Sequence, residues 1–229
     1  MAAAAIHRPR RQPTGPRALL GIGVDVGLRQ EASGICVVEA EWEGDACHFN
    51  VRHLERLPPG TTYPDLAARV AEIHINLKAR LDHHCDAWIY VDLTGHGAPI
   101  RDEIIEATEQ DIYEVRFNHG DLRRVDPDNS WSITYGKALL VSRVTLLLQK
   151  GRLHLPDTEQ ARTLAEELLD YRVEVHKDAN EHYGDFKVGT RDELVTALGL
   201  AVQEDLGWGP IGGLDFDLQT CLKKWGSSW

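Results

Sequence analysis

Cysteine is scarce in this chain. Four occur in 229 residues, Cys36, Cys47, Cys85 and Cys221, and no two form a Cys-x-x-Cys pair. That scatter excludes a zinc finger or a disulfide framework and reads as reduced cytosolic thiols. Long apolar runs are missing too: no window approaches the ~18 apolar residues of a membrane span. The start, Met-Ala-Ala-Ala-Ala-Ile-His-Arg-Pro-Arg-Arg, places its charges after a short apolar stretch, the reverse of a secretory signal. No Gly-x-x-x-x-Gly-Lys-Ser/Thr run occurs, which excludes a P-loop nucleotide hydrolase. Basic residues are outnumbered 25 to 36, for a net charge of −11. The first 18 residues hold four Arg and no acid, so the rest is more acidic than the total. Such a balance counts against strong non-specific binding to nucleic acid, which rests on Lys and Arg contacts to phosphate.

What is present suits one α/β domain of roughly 180–200 residues with tails. Apolar residues make up 42% of the chain, enough for a core. Residues 1–18 are rich in Ala, Arg and Pro and read as a disordered basic tail. Residues 19–206 form the domain, and 207–229, rich in Gly and Trp, are a C-terminal tail with no assigned role. Strands are expected at 19–26, Ile35–Glu41 and Phe49–Leu57, joined by short turns as an antiparallel meander. Pro58-Pro59-Gly60 ends it. A helix follows from Pro64 to about Leu81, with Leu66, Val70, Ile73 and Leu77 at helical spacing. Strand 87–93, a helix from about Pro99 and strand Ile112–Phe117 come next. Residues 118–132 read as loop. Helices follow at Tyr135–Gln149, Thr158–Tyr171 and Asp192–Leu206, and Val173–Val175 and Phe186–Val188 are candidate short strands. The architecture is a mixed five-stranded sheet with helices on both faces. Its fourth strand follows a crossover helix and so lies parallel to the first.

Three acids stand out against this plan. Asp25 ends the apolar run Leu19–Val24, Asp92 ends Trp88–Val91, and Asp192 opens an apolar helix. A carboxylate at the end of a buried strand must desolvate unless it is paired or holds a metal. The parallel pairing sets Asp25 and Asp92 side by side at one sheet edge, and the closing helix can bring Asp192 to them. Three carboxylates together repel, and divalent cations relieve that. Mg²⁺ and Mn²⁺ are hard ions that take oxygen ligands, and two of them ~3.5–4 Å apart support phosphodiester cleavage. Gly27, after Asp25, leaves room for a phosphate. Gly95 and Gly97, after Asp92, do the same and open a helix whose N–H groups favour anions. Taken singly, an Asp at a strand end is usually a turn residue, and Asp192 alone suits a helix N-terminus. The order and topology of the three favour the metal.

Other residues carry weaker signals. Glu31 follows Asp25 by six residues, where a solvated turn acid is the ordinary reading and contact with the site the sharper one. His96, between two glycines, is either an exposed turn residue or close to the scissile phosphate. Lys137 and Arg143 lie on one helix and suit either a solvated face or the DNA backbone. His83-His84-Cys85 lacks the partners of a zinc site. Arg8, Arg10, Arg11 and Arg17 suit a tail, with a DNA-contacting arm as the alternative.

With these motifs assembled, residues 19–206 resemble the nuclease domain of phage terminase large subunits, which has the ribonuclease H-like fold. The matching stretches are Gly23-Val24-Asp25-Val26-Gly27, Asp92-Leu93-Thr94-Gly95-His96-Gly97, Gly151-Arg152-Leu153-His154-Leu155-Pro156 with Glu167-Leu168-Leu169-Asp170-Tyr171, and Asp192-Glu193-Leu194 ahead of an Ala-containing apolar helix. The resemblance implies a metal-dependent endonuclease that cuts double-stranded DNA during viral packaging in the cytoplasm of a bacterial host. It implies Asp25, Asp92 and Asp192 as catalytic metal ligands, with Glu193 as a further metal ligand in place of the second Asp of the closing pair. Arg191 takes the place of the usual His and is a candidate substrate contact, as are Gly27, Gly95, His96, Gly97 and Lys137. The ATPase motor that normally precedes the nuclease is missing, so a separate ATPase subunit or the portal is the expected protein partner. The chain is then an excised domain, a split terminase or a stand-alone relative, and Met1 and the basic tail favour the last. Three alternatives remain: a sugar-kinase or actin-type ATPase, disfavoured by the short chain; a Holliday-junction resolvase; and a degenerate, non-catalytic packaging module.

Overall fold

A computed structural model describes residues 19–27, 30–43, 46–80, 86–95, 98–118, 122–171 and 191–203. Its strands are β1 (Leu19–Asp25), β2 (Ser33–Glu43), β3 (Ala46–Leu57), β4 (Asp86–Asp92), β5 (Tyr113–Asn118), β6 (Arg123–Val125), β7 (Ser132–Gly136) and β8 (Leu153–His154). Its helices are α1 (Tyr63–Arg80), α2 (Ala98–Thr108), α3 (Lys137–Gln149), α4 (Glu159–Asp170) and α5 (Glu193–Ala201). All eight strands form one sheet in the order β6-β7-β5-β4-β1-β2-β3-β8. β1, β2 and β3 are the expected antiparallel meander. β4 lies parallel to β1, and β5 parallel to β4.

The five strands expected from sequence are five consecutive members of this sheet, and three more flank them. β6 and β7 arise within and just after the stretch read as loop. β7 pairs with β5 in parallel and with β6 antiparallel. Its Ile133 and Tyr135 point into the core at strand spacing, so α3 starts at Lys137 rather than Tyr135. β8 is a two-residue edge, secured where the Phe49 N–H donates to the Arg152 carbonyl at 2.7 Å. The candidate strands 173–175 and 186–188 lie outside the described residues. So do both tails, His83-His84-Cys85, His96 and Gly97.

Strand alternation divides the molecule into two layers. Leu20, Ile22 and Val24 of β1, with Ile89 and Val91 of β4, pack against Leu66, Val70 and Ile73 of α1 and Ile100 and Ile104 of α2. The opposite face carries Tyr90, Cys36, Val38 and Phe49, covered by Leu140 and Val144 of α3, Leu164 and Leu168 of α4, and the apolar length of α5. α5 is buried along its whole length from Leu194 to Ala201. Among the described residues no helix is long and apolar enough to cross a membrane.

Glycine decides how close α5 comes. A β-carbon at Gly21 would lie 1.9 Å from the Ala201 carbonyl oxygen, and one at Gly34 2.3 Å from that of Glu193. Gly21, Gly23 and Gly34 therefore form a smooth track on β1 and β2 on which the backbone of α5 rests. The start of α5 is thereby delivered to the C-terminal end of β1.

Candidate metal-binding active site

In the register of β1 and β4, Gly23 faces Tyr90 and Val24 faces Val91. The next step along both strands brings Asp25 beside Asp92. Both carboxylates share the face of Gly23 and Tyr90, the face that α5 covers. On the other side of β1, Asp25 is opposite Gly34, and Gly34 lies beneath Glu193 at the start of α5. Asp192, the residue before α5, thus arrives at the same corner from a third element.

The turn after Asp92 is tightly specified. Thr94 N–H donates to Asp92 Oδ1 at 2.8 Å, a side-chain-to-backbone turn that orients the carboxylate. The Thr94 hydroxyl accepts from Phe117 N–H at 2.8 Å, tying the turn to β5. Gly95 takes φ +80 with open space around it. Glycine is needed there for backbone conformation rather than for room. At Gly27 the reason differs. A β-carbon there would lie 2.3 Å from the Ala32 carbonyl, and the Gly27 N–H donates to Ser33 Oγ at 3.0 Å. Gly27 also borders an open groove of about 810 Å³, lined with Gln30, Glu31, Gly60, Thr61, Thr62 and Tyr63.

The electrostatics fit a repulsive carboxylate group. Asp25 is held well above the usual Asp range by burial and by the charges of Asp92, Asp192 and Glu193, with Lys137 opposing them. Lys137 Nζ sits 2.6 Å from Asp192 Oδ2 and 5.6 Å from the centre of the Phe117 ring. Burial disfavours its charge, but Asp192 and Asp25 outweigh that and raise its pKa. Lys137 was expected on a solvated face or the DNA backbone. It lies instead in the carboxylate group, with 17% of its side chain exposed, because α3 begins at the very end of β7. Tyr171, at the end of α4, joins the same field: burial, with the charges of Asp192 and Asp25 added and Lys137 opposing, pushes its hydroxyl up to about 12.

The two acids of the closing pair face different partners. Asp192 turns to Lys137, whereas Glu193 Oε2 lies 3.3 Å from Arg56 Nη2. Arg56 also pairs with Glu167 of α4. Arg191 is exposed, and so is Glu31 at the groove. Arg143 departs from either expected role, since it is 4% exposed. Its Nε donates to the Val202 carbonyl at 2.7 Å, at the far end of α5.

Glu167, Arg143 and Tyr171 escaped the sequence reading as site-building residues, although a signal was present. Leu164, Glu167, Leu168 and Tyr171 are spaced i, i+3, i+4 and i+7, as are Leu140, Arg143, Val144 and Leu147. A charge at a core position of an apolar stripe announces a buried partner. Arg56 shares this property on β3, two residues after the buried Leu54.

Among the described residues no three His, Cys, Asp or Glu side chains stand close enough together to enclose a metal as they are placed. The donor chemistry nevertheless suits one. Three elements bring carboxylates to one corner with only hard oxygen donors, and Asp92 and Asp192 add to the burial that raises the pKa of Asp25.

No family model and no curated protein matches the chain. Solved structures do. A large terminase nuclease from the thermophilic phage G20c with bound magnesium matches at 25% identity and a TM-score of 0.52, covering 82% of each chain. The manganese-soaked human cytomegalovirus terminase nuclease domain matches at 15% identity and a TM-score of 0.55, covering 83% of this chain and 85% of that one. The protein thus has the ribonuclease H-like α/β fold and resembles the nuclease domain of terminase large subunits. The likeness runs over about four-fifths of its length.

Proposed function

We propose that this protein is a divalent-metal-dependent DNA endonuclease of terminase type, acting on double-stranded DNA in viral packaging. The observation that carries the reading is the convergence of Asp25, Asp92 and Asp192 from β1, β4 and the start of α5, in a field that raises the pKa of Asp25. In this reading the three Asp hold two Mg²⁺ or Mn²⁺ ions, and Glu193 adds its charge from the position where Arg56 holds it. The terminase nucleases of similar fold, one with bound magnesium and one soaked with manganese, support the choice of ions. When bound, the pair of ions supplies an activated water and charge stabilisation at the leaving oxygen.

The chain's own residues do the rest. The turn at Thr94 and Gly95 fixes the Asp92 carboxylate. Lys137 neutralises Asp192 and lowers the repulsion around Asp25. The groove beside Gly27 carries Thr and Gln side chains suited to sugar and phosphate contacts. The net charge of −11 makes the isolated protein a weak DNA binder, so a separate ATPase subunit or the portal supplies the local DNA concentration.

Calorimetric titration with Mn²⁺ tests the assignment. The wild type is expected to take up two ions. Asp25→Asn, Asp92→Asn and Asp192→Asn are each expected to lose at least one while keeping a cooperative thermal transition. Full two-ion binding in any variant would remove that residue from the site.

A further inference from the structure

Asp192 occupies the N-cap position of α5, yet its side chain makes no capping hydrogen bond. Asp is among the best N-cap residues, because its carboxylate can accept from the first free N–H groups of a helix. Here that work is done by a residue far away in sequence. Glu167 Oε2 accepts from Leu194 N–H at 3.1 Å and from Val195 N–H at 3.2 Å. Glu167 is 5% exposed, its other oxygen pairs with Arg56, and Arg56 reaches on to Glu193. The opposite end of α5 is held by the Arg143 bond to Val202. The helix is therefore clamped at both ends by buried charges of the sign each end favours. Its own Asp192 carboxylate accepts no helix N–H; it turns to Lys137, accepts from the Thr196 hydroxyl at 3.5 Å, and lies in the field of Asp25.

We infer that Glu167, supported by Arg56, is the positioning residue of the site. By capping α5 in place of Asp192, it releases the Asp192 carboxylate for metal binding and fixes where that carboxylate stands. A helix whose own N-cap Asp turned back to its N–H groups would withdraw one of the three ligands. Removing the Glu167 cap invites that rearrangement, since Asp192 is the nearest substitute acceptor. The inference rests on the metal-site reading above and assigns Glu167 no contact with metal or substrate.

Two conservative variants separate reach from charge. Glu167→Gln keeps an oxygen at the same distance and loses the charge. Glu167→Asp keeps the charge and withdraws the oxygen by one methylene. Mn²⁺ affinity is measured by calorimetry on the full chain, beside thermal melts without metal. Positioning predicts that Glu167→Gln stays within about threefold of the wild type. Glu167→Asp should lose about tenfold or more, the scale seen when outer partners of metal ligands are altered. Equal affinity in all three proteins, with only melting temperatures shifted, would reduce Glu167 to a structural residue and overturn the inference. Loss in Glu167→Gln with retention in Glu167→Asp would also overturn it, by making charge the operative property. A wild type that binds no Mn²⁺ would instead strike the metal-site reading, a failure distinguishable from either.

Discussion

A β-carbon at Gly23 would lie 2.0 Å from the carbonyl oxygen of Ala197. Helix α5 and strand β1 therefore touch backbone to backbone two residues before Asp25. Substituting Gly23 with Ala forces the helix off the sheet. Overpacking of this kind costs about 1–3 kcal/mol or more. Urea denaturation of Gly23→Ala should show a loss at the upper end of that range, together with weaker Mn²⁺ binding, because Asp192 moves with the helix. Unchanged stability would mean that α5 does not sit this close.

Lys137 is the internal cation of the carboxylate group, 2.6 Å from Asp192. Breaking a buried ion pair leaves an uncompensated charge, tempered here by partial solvent access. Lys137→Met should lower metal-free stability by about 1–3 kcal/mol. Millimolar Mn²⁺ should narrow the gap to the wild type, since bound ions take over the neutralisation. Thermal melts with and without Mn²⁺ check this, and a gap unaffected by metal would contradict it.

Asp25 carries a pKa raised by burial and then by neighbouring carboxylates. A carboxyl raised in the folded state opposes folding as pH climbs from the unfolded value of about 3.9 upward. Asp25→Asn should therefore raise the metal-free melting temperature at neutral pH, with the gain shrinking as pH falls toward that value. Functional groups commonly carry such a stability cost. A lower melting temperature at pH 7 in the variant would count against the repulsive cluster.

His74, 1% exposed on α1, titrates at about 4, held down by burial and by Lys78. Its ordinary value is 6.5. The folded protein favours the neutral ring, so this contribution is complete above 6.5 and is lost as pH falls from there toward 4. The full loss is of order 3 kcal/mol, at about 1.4 kcal/mol per pKa unit. Urea stability of the wild type should fall between pH 7.5 and 5 more steeply than that of His74→Leu. Parallel pH dependence in the two proteins would refute the assignment.

The sheet's centre was legible because β1 and β4 announce themselves as short apolar runs, each ended by an Asp. The crossover between them settles the parallel pairing that sets Asp25 beside Asp92. β7 was harder to read. Its Ile133 and Tyr135 are only two inward residues, and the helix pattern that follows absorbed Tyr135. β8 has two residues and no local signature at all. The expectation for Arg143 failed because polarity was read without position. The residue lies on the apolar stripe, and its acceptor, Val202, is 59 residues away. Glu167 lies in a recognisable motif, but its partners, Leu194 and Val195, are 27 and 28 residues downstream. Only the assembled fold joins them.

The most direct measurement is nicking of supercoiled plasmid by the purified protein with Mn²⁺, beside an EDTA control and the Asp92→Asn variant. Relaxed and linear products are expected with Mn²⁺, none with EDTA, and none from the variant. Cutting that persists in EDTA, or in Asp92→Asn at the wild-type rate, would contradict a metal-dependent site built on these carboxylates.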